Sequence, residues 1–264
     1  MTGTTKSYDS SYLGHSVDTE LDRLRTLERA FDTATFSVLA DLDLPQAARC
    51  LDLGAGAGSV AAWLADRYPA GRVTATDTDT RFLDFPPSET IEVLRHDAAH
   101  DDFPAGTFDL VHTRALLSHL PDRDRVLRRA ASWVRPGGWL VVEDLSVAVV
   151  DNSPHLLLKQ VTSAGEELLR TAVGTDLRWA ETMPDALRDL GLKDVQATVT
   201  PGVIGDDSAT HAFWKATVDQ ATPSLLQLGL VTSGQIDALY AMIAEPGFTD
   251  VGIAMTSARA RKPR

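Results

Sequence analysis

Glycine and aspartate residues at regular spacing are the part of this sequence whose chemistry can be inferred first. The segment LDLGAGAGSV (51–60) carries Gly54, Gly56 and Gly58 directly after a short apolar run. A glycine-rich turn between a buried strand and a helix lets the backbone approach a ligand closely, and the helix N-terminus offers unpaired N–H groups. The pattern therefore predicts a nucleoside-binding site at the carboxyl end of that strand.

Two aspartates follow at the ends of the next two predicted strands. Asp77 closes RVTATD (72–77), where a carboxylate can accept hydrogen bonds from both ribose hydroxyls, as in other nucleoside sites. Asp97 closes IEVLRHD (91–97), where it can accept a hydrogen bond from an adenine amino group. Each aspartate alone is typical of a strand end or a helix cap. Their succession after the glycine turn favours an adenosyl ligand.

The glycine spacing distinguishes two kinds of nucleoside site. A dinucleotide site has the pattern G-x-G-x-x-G, in which the third glycine allows close packing of the helix on the strand. Here Ser59 stands at the position of that third glycine. The spacing disfavours a nicotinamide oxidoreductase, which remains an alternative together with a non-catalytic binding domain.

The elements that must position these residues alternate along the first half of the chain. A helix or helix pair is predicted from about Asp18 to the region of Pro45. A second helix is predicted after Ser59, which would be its N-cap, and a third over 122–134, before a turn at 136–138. Short apolar or β-branched runs predict five strands. These are residues 49–53, 72–77, 91–97, 108–113 and 139–144. The alternation predicts a doubly wound α/β fold with a mainly parallel sheet.

The regular alternation stops near Leu145, and the second half of the chain is mostly helical by its pattern. Helices are predicted over 153–173, 183–192, 209–220 and 233–244, and strands over 193–200 and 250–260. We interpret the chain as N-terminal cap helices (1–45), a cofactor-binding core (46–146), and helical lid insertions with the last two strands (147–264). The cap is expected over the ligand edge of the sheet.

Composition and charge restrict the partners. The 25 Lys and Arg residues against 37 Asp and Glu give a net charge of −12, which disfavours nucleic acid because its binding depends on neutralising phosphates. Cys50 is the single cysteine, so no internal disulfide or cysteine-based zinc site is expected. No signal peptide or long apolar run is evident, which predicts a cytoplasmic protein without a membrane partner. A homodimer and a protein acceptor are left open.

The chain resembles the class I S-adenosylmethionine-dependent methyltransferases, in particular a bacterial small-molecule subgroup with a helical cap. The resembling segments are LDLGAGAG (51–58), VTATD (73–77), 96–122 and 127–144, with SYLGHSVDTELDRL (11–24) near the start. The resemblance implies a Rossmann-like seven-stranded sheet whose last strand runs antiparallel. It also implies S-adenosylmethionine as cofactor, S-adenosylhomocysteine as product and a small organic molecule as methyl acceptor.

The same resemblance implies a cofactor site. Asp52 would orient the cofactor amino group, Asp77 would hold the ribose, and Asp97 would read the adenine edge. The glycine loop would line the methionine and ribose side, and the residues after the fourth strand would line the sulfonium and methyl group. The full predicted set is Asp52, Gly54, Ala55, Gly56, Gly58, Asp77, Thr78, Asp97, Ala98, Thr113 and Arg114.

Three side chains of the predicted site are an arginine after the fourth strand and two residues of the N-terminal cap. An arginine at position 114 departs from the small or neutral residue more common in the family. Tyr12 and Arg23, in the N-terminal cap, are expected to close over the cofactor. Arg23 either pairs with the cofactor carboxylate or lies in solvent.

Methyl transfer from a sulfonium requires alignment of the acceptor atom, the methyl group and the sulfur, together with exclusion of water. No catalytic triad, HExxH or CxxC pattern is evident, so no metal is predicted. His119 and His15 are candidates for a general base that takes a proton from a phenol or amine; His119 alternatively supports its loop. The alternative function is a non-methylating reaction, such as a cyclisation, that uses the cofactor as a scaffold.

Aromatic and acidic residues in the second half complete the candidates. A pocket for an apolar or aromatic acceptor is predicted from five residues of the expected cap, His155, Trp179, His211, Phe213 and Trp214, although the pair at 213–214 is also typical of a helix core. Glu143 and Asp144 close the fifth strand and either contact the site or hold a turn.

Overall fold

The protein folds around a seven-stranded sheet within the residues that the computed structural model describes, 18–86, 88–205 and 207–264. The strands are β1 (Arg49–Leu53), β2 (Arg72–Asp77), β3 (Ile91–Arg95), β4 (Phe108–Arg114), β5 (Val134–Ser146), β6 (Lys193–Ile204) and β7 (Asp250–Arg261). The helices are α1 (Glu20–Ala40), α2 (Ser59–Arg67), α3 (Arg123–Trp133), α4 (Leu156–Val173), α5 (Met183–Asp189), α6 (Ala209–Gln227) and α7 (Ser233–Ile243). None of these helices is long and apolar enough to cross a membrane.

The strand order places the glycine turn at the centre of the sheet. The order is β3-β2-β1-β4-β5-β7-β6. β1 is parallel to β2 and β4, β2 is parallel to β3, and β4 is parallel to β5. The order reverses between β1 and β4, and ligands of open α/β sheets bind outside the carboxyl ends of the strands at such a switch point.

β7 runs antiparallel to β5. Near the start of β5, the carbonyl of Gly138 accepts a hydrogen bond from the amide of Lys262 at 2.9 Å. Later in β5, Glu143 accepts a hydrogen bond from Ser257, which comes earlier in β7. The residue numbers of the β7 partners fall as those of β5 rise, which is the pattern of an antiparallel pair. The predicted antiparallel last strand is confirmed.

The apolar residues of β1 separate to the two faces of the sheet with the two-residue period of a strand. Leu51 and Leu53 pack in one apolar cluster with Trp133, and Cys50 packs in another cluster with Leu64. Helices on both faces cover these clusters, which is the layer architecture predicted from the pattern. Burial raises the pKa of the Cys50 thiol to about 12, so this cysteine is an inert core residue.

Two compact units divide the described residues. The first comprises the described residues up to Phe31, with Leu145–Arg178 and Thr200–Met255, and its core joins α4, α6 and α7 through side chains such as Leu158, Trp214 and Leu239. The second comprises Asp32–Asp144, Trp179–Val199 and Thr256–Arg264, and contains the two apolar clusters around β1. That the first unit acts as a cap stays a prediction.

Trp179 was expected among the cap aromatics, and this expectation is wrong. The residue is 6% exposed and packs in the apolar cluster of the second unit, with Met183 and Leu187 of α5. The short helical segment Trp179–Thr182 and α5 bury their apolar side chains in that cluster, because a helix must cover its apolar face.

The start of α2 differs from the prediction. Its N-cap is Gly58, with φ of 93°, and Ser59 is the first helical residue. The Ser59 hydroxyl lies 3.0 Å from an Asp32 carboxylate oxygen rather than capping the helix. A Cβ added at Gly58 would lie 2.5 Å from the Phe85 ring, so both the backbone angle and the close packing require glycine here.

The start of β5 also differs. The segment Pro136–Gly138, predicted as a turn, lies within the strand, which begins at Val134. β4 pairs Phe108 with Val134 and Leu110 with Trp139, so β5 contains extra residues in a bulge. A local bulge adds no periodic signal to the sequence, and a Pro-Gly-Gly run in isolation is typical of a turn.

Candidate functional site

The turn after β1 is fastened to the end of β2. Gly54, Gly56 and Gly58 have positive φ of 71°, 58° and 93°, a region that other residues rarely adopt. The Ala55 amide donates a hydrogen bond to a β2 carbonyl at 2.8 Å, and the Gly56 amide donates to the Asp77 carboxylate at 3.0 Å. The structure therefore brings together the glycine loop and the strand-end carboxylate that the sequence predicted separately.

The end of β3 lies beside the end of β2. The amide of His96 donates to the carbonyl of Asp77 at 2.9 Å. Asp97 accepts a hydrogen bond from the Ala99 amide at 2.8 Å, and its other oxygen lies 2.8 Å from Nδ1 of His100. Burial alone would raise the pKa of Asp97, but the hydrogen bonds from His100 and Ala99 hold it below its usual value. Asp97 is therefore an ionised acceptor near Asp77.

The remaining predicted contacts at these strand ends are Thr78 and Ala98. Thr78 is half-buried, and its hydroxyl lies 3.4 Å from Asp77. Ala98 is buried, 6% exposed. Each follows a predicted ligand carboxylate in the chain, and their contacts with the adenine stay predictions.

Asp52 lies beneath the glycine turn, near the end of β1. It is 2% exposed, and its register partner in β4 is His112, whose Nδ1 lies 2.8 Å from Oδ1 of Asp52. Oδ2 of Asp52 is buried and has no hydrogen-bond partner among the described residues. Buried carboxylate oxygens normally accept hydrogen bonds, so this atom fits a donor supplied by a bound molecule.

His112 continues from Asp52 to a second buried carboxylate. Its Nε2 lies 3.2 Å from Glu143, which also accepts hydrogen bonds from Thr35 at 2.6 Å and from Ser257. Burial lowers the pKa of His112, but hydrogen bonds to Asp52 and Glu143 outweigh it and raise the pKa to about 9. Burial raises the pKa of Glu143, but the hydrogen bond and charge of His112, the charge of Arg114 and the hydrogen bond from Ser257 together lower the pKa below its usual value. The three residues thus form a row of two carboxylates with an imidazolium between them.

Sequence reasoning missed His112 and the role of Glu143. The signal that could have found them is a histidine within FDLVHTR (108–114), a strand otherwise buried on both faces. A buried imidazole needs hydrogen-bond partners, and the strands on either side are the places to search for them.

Arg114 has three hydrogen-bond partners among the residues that the structure describes. Its guanidinium donates to Asp32 at 2.9 Å, to Thr35 at 3.1 Å and to Ser59 at 3.2 Å. Its side chain is 8% exposed, so the charge is paired in a mostly buried position. These bonds tie β4 to α1 and α2 and account for an arginine where the resemblance favours a smaller residue. Its contact with a cofactor stays a prediction.

The backbone just after β4 is unusual. Ala115 has a φ of 52°, which is unfavourable for a residue other than glycine and often marks a functional segment. Thr113, two residues earlier, is buried and its hydroxyl has no hydrogen-bond partner in the described part of the chain. A polar group buried in this way is suited to a contact with a bound molecule.

The loop that carries His119 is held by Asp144. The amide and the hydroxyl of Ser118 donate to this carboxylate at 2.9 and 2.7 Å. Arg123 donates to the Leu117 carbonyl at 3.3 Å and to the Ser118 carbonyl at 3.1 Å. Of the two interpretations of Asp144, holding a turn is the one that this geometry supports. His119 is half-buried at the end of the loop, and its role as a base stays a prediction.

Arg23 is not in solvent, so that interpretation is wrong. The residue is 6% exposed, and its guanidinium donates to both carboxylate oxygens of Glu20 at 2.8 and 2.7 Å. Gln220 also donates to Glu20 at 2.8 Å, and the guanidinium lies 5.8 Å from the centre of the Phe213 ring. A fully buried glutamate requires such a cation, which explains the burial of the arginine. Its contact with a cofactor stays a prediction.

The remaining predicted site residues are N-terminal or aromatic. Tyr12 and His15 lie outside the described residues. Phe213 and Trp214 are 1% and 6% exposed, and Trp214 packs in the core of the first unit. The helix-core interpretation of this pair is therefore the better one. Within the described ranges, no three His, Cys, Asp or Glu side chains are grouped so that they could hold a metal ion.

Known proteins match the region that contains this geometry. A family model described as a methyltransferase domain matches residues 51–142. The methyltransferase str2 of Strobilurus tenacellus is 30% identical over 197 residues, which cover 70% of each chain. The trans-aconitate 2-methyltransferase of Deinococcus radiodurans is 35% identical over 111 residues, so the match spans only 42% of either chain.

A solved structure has the same fold. Phosphoethanolamine N-methyltransferase 2 of Haemonchus contortus, in complex with phosphomonomethylethanolamine and S-adenosylhomocysteine, superposes with a TM-score of 0.62 at 16% identity. The match covers 98% of this chain and 61% of that one. Because str2 is 30% identical over 70% of its own length, and because the methyltransferase domain matches the strands that carry the glycine turn, the chain belongs to the class I S-adenosylmethionine-dependent methyltransferases.

Proposed function

We propose that the protein transfers the methyl group of S-adenosylmethionine to a small organic molecule. The observation that carries the proposal is the glycine turn bonded to Asp77 at the switch point of the sheet, next to a strand whose Asp52 has a buried oxygen with no hydrogen-bond partner in the described ranges. The relative from Deinococcus radiodurans is named for trans-aconitate, a small acid, which supports a small acceptor here as well.

The residues at the site fit S-adenosylmethionine. The ammonium group of the cofactor would supply the donor that the described residues do not offer to Oδ2 of Asp52. The carboxylates of Asp77 and Asp97 would accept hydrogen bonds from the ribose hydroxyls and the adenine amino group. The glycine loop, including Ala55, would line the methionine and ribose, and Thr78 and Ala98 would border the adenine. These assignments follow the places of the residues at the ends of β1, β2 and β3.

S-adenosylmethionine supplies an activated methyl group when bound, so the chain's own residues need only bind, orient and deprotonate. The Thr113 hydroxyl, near the end of β4, and the strained Ala115, just after β4, would border the reacting groups. His119 would accept the proton of an acceptor hydroxyl or amine on an imidazole nitrogen, from a loop that the Ser118–Asp144 bonds keep in place.

The alternative, a non-methylating reaction such as a cyclisation, is less well supported. Both sequence relatives are named methyltransferases, which favours methyl transfer. The net charge of −12 supports an acceptor other than nucleic acid. The homodimer and the cytoplasmic location remain predictions from the sequence.

The test is a labelling experiment. The purified protein is incubated with methyl-labelled S-adenosylmethionine and a panel of small acids, phenols and amines, and the products are identified by mass spectrometry. We expect one acceptor to gain the label while S-adenosylhomocysteine forms in equal amount. Conversion of a substrate without labelled product or S-adenosylhomocysteine would instead support the non-methylating alternative.

A further inference from the structure

A row of hydrogen-bonded charges crosses three neighbouring strands under the glycine turn. Asp52 in β1, His112 in β4 and Glu143 in β5 are joined by contacts of 2.8 Å and 3.2 Å. Asp52 is in register with His112, and His112 is in register with Val141, two residues before Glu143. All these side chains therefore lie on one face of the sheet.

The far end of this row is fully anchored. Glu143 accepts hydrogen bonds from His112, from Thr35 and from Ser257, and the side chains of Glu143 and His112 are both 0% exposed. The near end is not: Oδ2 of Asp52 is buried and has no hydrogen-bond partner within the described residues. The row therefore has one acceptor left over, and it lies at the strand that leads into the glycine turn.

We propose that His112 is a positioning residue for the cofactor: by donating from Nδ1 to Oδ1 of Asp52, it orients the carboxylate and reserves Oδ2 for the ammonium group of the cofactor's methionine half. This inference rests on the proposed function. It assigns to His112 and Glu143 a role in cofactor binding that is indirect, because both act through Asp52 and neither contacts the cofactor.

The charges of the row suit a cationic group. Hydrogen bonds to both carboxylates raise the pKa of His112 against the effect of burial, so the row carries two negative charges and one positive charge near neutral pH. Arg114, on the same face, is paired with Asp32 at 2.9 Å, so its charge is already compensated. The row thus retains one negative charge, and a cationic group beside Asp52 would neutralise it.

The experiment compares two ligands and two variants. S-adenosylhomocysteine carries the ammonium group, whereas methylthioadenosine has the same nucleoside but lacks the amino-acid half. We expect His112→Asn to weaken binding of S-adenosylhomocysteine by about tenfold or more, the loss expected when a hydrogen bond to a charged group is misplaced, and to change methylthioadenosine affinity by less than about twofold. Asp52→Asn should show the same selectivity, and the double variant should bind no worse than Asp52→Asn.

The affinities are measured by calorimetric titration, and each outcome distinguishes a positioning role of His112 from a merely structural one. Equal weakening of both ligands by His112→Asn, or no weakening of either, would overturn the proposal, because a merely structural histidine would not distinguish the two ligands. If His112→Asn does not fold, Glu143→Gln decides instead, since it keeps the shape of the side chain but removes the charge that holds the imidazolium. Failure of the unaltered protein to bind S-adenosylhomocysteine at all would contradict the proposed function itself. The matched control is Asp122→Asn, whose exposed carboxylate contacts Arg125 on the surface.

Discussion

Asp77 combines two roles at the level of a single residue. One of its oxygens accepts the Gly56 amide at 3.0 Å and so holds the glycine turn, and the carboxylate also lies where a ribose is expected. We predict that Asp77→Ala lowers the affinity for S-adenosylhomocysteine by about a hundredfold, because two hydrogen bonds to a charged group are lost and the turn is released. Isothermal titration calorimetry would measure the change.

The control for Asp77 is Asp122→Ala, which removes a carboxylate that is 65% exposed and lies in an ion pair with Arg125. Exposed pairs of this kind contribute little, so the control should bind the cofactor like the unaltered protein. An unchanged affinity in Asp77→Ala would refute the assignment of this carboxylate to the ribose.

His119 gives the second prediction at this scale. If its imidazole accepts the proton of the acceptor, His119→Ala should lower turnover by about a hundredfold or more and leave the affinity for S-adenosylhomocysteine unchanged. Turnover is measured by label transfer, and the thermal midpoint is recorded for the same preparation. A fall of the midpoint with normal turnover would assign the residue to support of its loop.

At the scale of elements, the glycine turn requires a left-handed backbone conformation, and this requirement can be tested. Gly58 has a φ of 93°, and a Cβ there would lie 2.5 Å from the Phe85 ring. We predict that Gly58→Ala lowers the free energy of unfolding by about 1–3 kcal/mol, from the left-handed backbone and overpacking together. The measurement is urea denaturation followed by circular dichroism.

Gly165 provides the matched control for this substitution. It lies within α4, and a Cβ there would meet nothing within 4 Å. Because alanine is the better helix former, Gly165→Ala should raise stability by about 0.5–1 kcal/mol. The two Gly→Ala changes should therefore have opposite signs, and equal signs would contradict the packing argument at Gly58.

The elements that could be predicted from the sequence are those with a local signal. β1 and β2 were predicted with the bounds that the structure has, because apolar and β-branched runs end at glycine or aspartate. The bulge in β5 and the Gly58 cap were not predicted, since both depend on how the segment meets a neighbouring strand or side chain.

The same distinction holds for the site. Asp77 ends one recognisable strand and the glycine loop follows another, so their meeting at one edge of the sheet could be inferred. The pairing of His112 with Asp52 and Glu143 joins residues 60 and 31 positions apart. It depends on strand order and register, and neither was predicted from the sequence.

At the scale of the whole molecule, two buried histidines should shape the pH dependence of stability in opposite directions. His96 is 4% exposed and stacks on Phe103 at 4.5 Å, and neither ring nitrogen has a hydrogen-bond partner among the described residues. Burial lowers its pKa. Below about pH 6.5 the unfolded chain therefore binds a proton that the folded protein resists, and stability falls as the pH falls.

His96→Phe keeps an aromatic ring against Phe103 but removes the titration. We predict that this variant loses less stability than the unaltered protein between about pH 6.5 and 5, where few carboxylates titrate. Urea denaturation at a series of pH values would measure the difference. An equal loss of unfolding free energy between about pH 6.5 and 5 in the two proteins would contradict the assignment of this pH dependence to His96.

His112 should have the opposite effect, because its folded pKa of about 9 lies above the value of the unfolded chain. Its stabilising contribution is complete below about pH 6.5 and is lost as the pH rises towards 9, where the folded protein releases the proton that neutralises Asp52 and Glu143. Over that interval the unaltered protein should lose on the order of 3 kcal/mol of unfolding free energy through this group. His112→Asn should be less stable at pH 6.5 but should show a flatter profile up to pH 9, measured by the same denaturation series. A decline of equal slope in both proteins would place the titrating group elsewhere and would remove the imidazolium from the row.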